Sequence, residues 1–125
     1  MKFNFTPCCF MTSYIALFIS DLIFQTQVRV AMQGAPHELK FLSSPDALST
    51  AHPPALAVFD LSSGELDALQ RFRQTFPDVP TLAFLPHVQT QLYEQAQALG
   101  CTRVVSRFEF SKNIRKLLTE LTSNV

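Results

Sequence analysis

A chain of 125 residues that is 47% apolar and 16% charged can bury one core of its own and is too hydrophobic to be disordered. Ten basic and ten acidic side chains cancel, so the composition offers no electrostatic footprint for nucleic acid or for an anionic membrane surface. Cys8, Cys9 and Cys101 are an odd set without a C-x-x-C pair, and His37, His52 and His87 stand far apart. That excludes a spaced metal-ligand motif and suits a reducing, cytoplasmic compartment better than a secreted one.

Residues 1–11 read as a poorly ordered extension, with the domain proper over 12–125. Lys2 followed by the apolar stretch Cys8–Ile19 is similar to a short signal peptide. However, Thr12, Ser13 and Tyr14 interrupt the stretch, Asp21 ends it, and no small-x-small cleavage site follows. It is also too short to span a bilayer. Met1 and Met11 both remain candidate starts.

From there short apolar runs alternate with amphipathic stretches. Ile15–Ile19 is a continuous apolar run, as in a strand buried on both faces. Phe24, Val28, Ala31 and Met32 follow at helical spacing and stop at Gly34-Ala35-Pro36. Leu39–Leu42 reads as a brief second strand. Ser44-Pro45-Asp46 reads as the N-cap, first-turn proline and first-turn acid of a short helix closed by Pro53-Pro54.

Leu56–Phe59 reads as a third strand ending at Asp60, and Ser62-x-x-Glu65 matches a capping box for the next helix. That helix has an inner face of Leu66, Leu69, Phe72 and Phe76 and stops before Pro77. Thr81–Leu85 is a fourth strand. A helix with Val88, Leu92, Ala96 and Leu99 inside follows, and Gly100 caps it. Arg103–Val105 is a fifth strand. Ser111 is expected to cap a last helix with Ile114, Leu117, Leu118 and Leu121 buried. Five strand–helix units with short connections imply an α/β, flavodoxin-like, doubly wound parallel sheet of order 2-1-3-4-5.

In that order the carboxyl ends of strands one and three open on the crevice where ligands bind in open α/β sheets, and each carries an acid, Asp21 and Asp60. Neighbouring carboxylates repel unless they share a proton or a cation such as Mg2+, which accepts one or two carboxylates, a carbonyl and water. Equally, each aspartate sits where it could cap the helix that follows.

Phe18-Ile19-Ser20-Asp21, Ala57-Val58-Phe59-Asp60-Leu61, Pro80-Thr81-Leu82-Ala83-Phe84 and Ala98-Leu99-Gly100-Cys101 resemble, in order, the landmarks of response-regulator receiver (CheY-like) domains, across residues 14 to about 122. The resemblance implies that Asp60 takes the phospho-acceptor position and that Asp21 and Asp60 both contribute carboxylates to the metal. The backbone carbonyl of Ser62 would fall where the family supplies a third ligand to Mg2+. It also implies a two-component or phosphorelay setting with a histidine kinase as partner.

The pocket departs from that pattern. Ser20 stands at the first acid, Leu85 at the strand-four hydroxyl, Pro86 after it, and Arg107 at the strand-five lysine. Phe108 replaces a proline, Gly64 and Ala68 replace loop residues, and Val104 stands at an aromatic switch position. Leucine donates no hydrogen bond to a phosphoryl oxygen, and a guanidinium fork is not a compact ammonium. The reading is therefore a pseudo-receiver of a divergent stand-alone subgroup, non-enzymatic and acting through protein contacts. The alternative is a genuine Mg2+-dependent phospho-acceptor.

The face of helix four, strand five and helix five is the expected partner surface, or a homodimer contact. It carries Gln89, Gln91, Gln95 and Gln97 beside the basic Lys112, Arg115 and Lys116. Output is expected to come from a partner protein, with no nucleic acid or membrane involved. A flavin or nucleotide carrier does not fit, because an acid sits in the loop after strand one where a phosphate would lie. His87 reads as a loop residue and Cys101 as a small buried filler.

Overall fold

Three apolar runs and two mixed edge segments become five parallel strands in the computed structural model, which describes residues 13–63, 66–86 and 90–123. The strands are β1 (Tyr14–Phe18), β2 (Glu38–Phe41), β3 (Leu56–Asp60), β4 (Thr81–Leu85) and β5 (Arg103–Ser106). The helices are α1 (Leu22–Ala31), α2 (Asp67–Thr75), α3 (Thr90–Ala98), α4 (Arg107–Lys112) and α5 (Ile114–Ser123). The sheet runs β2-β1-β3-β4-β5, the expected order, and Phe18 lies opposite Phe59, Asp60 opposite Phe84 and Leu85 opposite Ser106.

The period of two along each strand sorts the core into two layers. Ile15, Leu17, Ile19, Val58, Leu82, Phe84 and Val105 pack under α1, α4 and α5, against Phe24, Val28, Phe110 and Leu118. Tyr14, Ala16, Phe18, Ala57, Phe59, Ala83 and Leu85 face α2 and α3, against Leu69, Phe72, Leu92 and Ala96. Phenylalanines join each layer: Phe18 stacks on Phe59 at 4.7 Å, and Phe84 stacks on Phe110 at 4.3 Å. No described helix is long and apolar enough to cross a membrane.

Three local expectations are corrected. The segment between β2 and β3 forms only a 3-10 turn, Pro45–Ala47, capped by Ser44 through its bond from the Asp46 N–H. The second unit therefore lacks a full helix; Pro53 and Pro54 follow a stretch too short to propagate one.

Ser62 is not a helix N-cap. Helix α2 begins later, after Leu66, without a side-chain cap, because the Ser62 N–H and hydroxyl both turn back to Asp60. Glu65 lies outside the described residues, as do Val88, His87 and the extension over 1–11.

Ser111 lies inside a helix, its hydroxyl bonded to the Phe108 carbonyl. The chain turns helical directly after β5, where the Ser106 hydroxyl accepts the Glu109 N–H at 3.0 Å. Asn113 then breaks the helix. Its N–H and Nδ2 both reach the Glu109 carbonyl, and its own carbonyl accepts the Leu117 N–H to start α5.

Gly100 does end α3, at φ +88. A Cβ there would lie 2.9 Å from Arg73, whose guanidinium bonds the carbonyls of Leu99, Pro77 and Val79 and ties α2 to the end of α3.

Candidate functional site

The loop after β1 sets the first half of the site. Ile19 is buried under α1, and Asp21 follows in extended conformation as the N-cap of that helix. Its Oδ1 accepts the N–H groups of Ile23 at 2.8 Å and Phe24 at 3.3 Å, so the capping role foreseen for this residue is present.

Its Oδ2 accepts Arg107 Nη2 at 3.2 Å, a pair that closes 86 residues of chain. The Arg107 guanidinium lies 4.6 Å over the Phe24 ring. Phe24 in turn packs at 5.3 Å from Phe84 and 6.1 Å from Phe110, so the cation rests on an aromatic shelf built by α1, β4 and α4. Both partners of the ion pair are about one-third exposed, which limits it to ~1 kcal/mol or less of stability. Its weight in the site is chemical: it places a fixed positive charge against the carboxylate.

The second half is built differently. Asp60 ends β3 half-buried, and its Oδ1 takes the Ser62 N–H at 2.9 Å and also the Ser62 hydroxyl. It opens on a cleft of about 310 Å³ lined by Ser20, Ser43, Asp60, Ser63, Asp67 and Arg71 over a floor of Phe18 and Phe59. Ser20 thus shares a cleft with Asp60, whereas Asp21 does not line it. Arg71 is no spare cation for Asp60. It is held by Asp67 at 2.9 Å and Asp46 at 2.8 Å, which raise its pKa and fasten the 3-10 turn to α2.

Leu85 is 2% exposed and joins the α2–α3 layer. It forms the wall of a separate groove of about 380 Å³ with Thr90, Tyr93, Val104, Val105, Ser106 and Glu109. Pro86, half-buried, is the last described residue before α3. Cys101 donates to the carbonyls of Thr81 and Arg103, and burial pushes its thiol pKa up, in keeping with a filler.

The residues at the strand ends do not fit a divalent ion well. Asp21 already accepts two N–H groups and a guanidinium, so Mg2+ would have to share Oδ2 with Arg107 and lie beside its charge. Ser20 supplies no carboxylate, and among the described residues no group of three or more His, Cys, Asp or Glu could hold a metal.

Sequence reasoning located Asp21, Asp60 and Arg107 but missed Phe24 as the shelf and Ser43 and Arg71 at the Asp60 cleft. It also missed Ser106 as a cap, although Ser106-x-x-Glu109 carries the capping-box spacing.

No protein-family model matches the sequence, and no curated protein matches it. Solved structures do. A response regulator from Thermotoga maritima superposes with a TM-score of 0.73 at 14% identity, over 90% of this chain and 99% of that one. A signal receiver domain from Bacteroides fragilis gives 0.72 at 20% identity, over 90% and 98%. The manganese-bound form of response regulator Rcp1 gives 0.73 at 13%, over 90% and 96%. The fold is therefore the flavodoxin-like one of CheY-type receiver domains. At these identities the likeness establishes the architecture, and the chemistry rests on this chain's own residues.

Proposed function

We propose that this chain is a receiver-fold signalling module that acts through protein–protein contacts in the cytoplasm, without catalysis and with a degenerate phospho-acceptor pocket around Asp60. The observation that carries this reading is the engagement of both Asp21 oxygens, Oδ1 by the α1 N–H groups and Oδ2 by Arg107. A cation tethered to the protein stands where a receiver of the usual kind would recruit a metal ion. It cannot come and go with phosphorylation as a bound ion can.

Leu85 removes the hydroxyl that would read a phosphoryl group, so a modified Asp60 would gain few contacts that distinguish two states of the domain. The surface of α3, β5 and the α4–α5 pair is the face proposed for partners or for a second copy. Its groove beside Leu85 is also lined by Tyr93 and Glu109.

One observation favours the second reading, a Mg2+-dependent acceptor phosphorylated by a histidine kinase. Asp60 stands at the mouth of an open cleft, with Oδ2 outside both bonds to Ser62. Phosphate-affinity electrophoresis after treatment with acetyl phosphate and Mg2+ separates the two. A single unshifted band is expected; a retarded band that disappears in Asp60→Ala would establish the acceptor and overturn the degenerate-pocket reading.

A further inference from the structure

The sheet ends in β2 on one side and β5 on the other. An edge strand presents a row of N–H and C=O groups that another chain can bond. β5 spends its charge within the domain, since Arg103 pairs with Glu120 at 3.6 Å. β2, Glu38–Phe41, does not.

The backbone of β2 faces two ways. The N–H groups of Glu38 and Leu42 donate to the carbonyls of Ser13 and Leu17, at 2.9 Å each. Successive residues of a strand turn their backbone groups to opposite sides, so those of Leu39 and Phe41 point out from the sheet.

The side chains of β2 alternate too. Leu39 and Phe41 pack with the α1 layer, and Glu38 and Lys40 lie on the other face, in register with Tyr14 and Ala16. The Lys40 ammonium lies 4.3 Å over the Tyr14 ring, which holds it on that face. Among the described residues neither Glu38 nor Lys40 makes an ion pair. Ten basic and ten acidic side chains cancel over the whole chain, so no net repulsion opposes self-association.

We infer that β2 is a homodimer contact, pairing antiparallel with β2 of a second copy about a two-fold axis at Leu39. In that register the Leu39 N–H of each copy donates to the Leu39 carbonyl of the other, and Glu38 of each copy stands opposite Lys40 of the other. The symmetry makes the ion pair twice. An axis at Glu38 or at Lys40 would set like charges face to face, and one at Phe41 would set Lys40 against Leu42, so charge selects the register. A lone lysine on an edge strand discourages pairing; a glutamate two residues away makes the pattern self-complementary.

The strand has four residues, so the contact is small and the dimer is weak and concentration-dependent. β2 and β5 close opposite ends of the sheet, which leaves the face of α3, β5 and the α4–α5 pair to a different protein. The inference goes beyond the reading of Asp60 and does not depend on it.

Sedimentation equilibrium of the full chain tests it. A micromolar-range dimer that weakens in high salt is expected. Glu38→Lys and Lys40→Glu should each weaken it about ten-fold, because each sets like charges opposite one another. An equimolar mixture of these two variants should form heterodimers, and Glu38→Lys/Lys40→Glu should dimerise as the wild type does. That rescue separates a pairing effect from a folding defect. Leu39→Pro removes an outward N–H without a bond to β1, and should give a monomer with an unchanged far-ultraviolet circular dichroism spectrum.

A chain that stays monomeric at every concentration, with the edge taken by residues 1–12 or by none, would overturn the inference. So would a dimer indifferent to both single changes, a mixture that shows no rescue, or a dimer abolished by Lys116→Glu instead. Each of these results leaves the Asp60 reading standing, because phosphate-affinity electrophoresis reports on that residue separately.

Discussion

The two aspartates lie past the carboxyl ends of neighbouring strands, Asp60 as the last residue of β3 and Asp21 in the loop after β1, yet their partners differ in character. Asp21 is tied down: among the described residues its side chain bonds the start of α1 and Arg107 at the start of α4, and its charge is met by that guanidinium over Phe24. Among the described residues the Asp60 side chain is bonded within its own turn, through Ser62, and lines a polar cleft. Two identical side chains, both half-buried at the same end of adjacent strands, have thus become a tie between α1 and α4 and an acid held within its own turn. In a receiver fold, what an acid at the switch point can do depends on whether a protein cation has already claimed it.

That contrast is open to direct attack by substitution. Asp21→Ala removes the helix cap and leaves Arg107 with only its aromatic shelf, so it should cost about 2 kcal/mol, read as a lower urea midpoint at unchanged slope. Arg107→Ala keeps the cap and loses a pair that is one-third exposed; a loss of roughly 0.5–1 kcal/mol is expected. Asp60→Ala loses the bonds to Ser62 at the end of β3 and no tie between elements, and should change stability by about 0.5 kcal/mol or less. An Asp60 variant as damaging as the Asp21 variant would erase the distinction.

Millimolar Mg2+ should leave the thermal midpoint of the native protein unmoved, since an ion that does not bind the folded state cannot stabilise it. The smallest effect concerns Cys101. In a Cys8→Ser/Cys9→Ser background its half-buried thiol should alkylate more slowly at neutral pH than free cysteine, because the raised pKa starves it of thiolate.

The strands and their order were legible because a doubly covered sheet demands continuous apolar runs, and Ile15–Ile19, Leu56–Phe59 and Thr81–Leu85 supply them. The acids at the ends of β1 and β3 followed from the same runs. The helix starts were less legible, since Ser62, Ser106 and Ser111 are all competent caps and the choice is made by what each hydroxyl meets in space. Ser62 meets Asp60, Ser106 meets the Glu109 N–H, and Ser111 falls within a helix that has already begun. The pairing of Asp21 with Arg107 spans 86 residues, beyond the reach of any local pattern.

The central claim, that a tethered guanidinium holds the place of a metal at Asp21, is tested most directly by a Mn2+ titration followed by amide relaxation. The account predicts weak, unselective broadening across the surface at sub-millimolar Mn2+. Selective loss of the amide signals of residues 20–22 and 60–62 would contradict it.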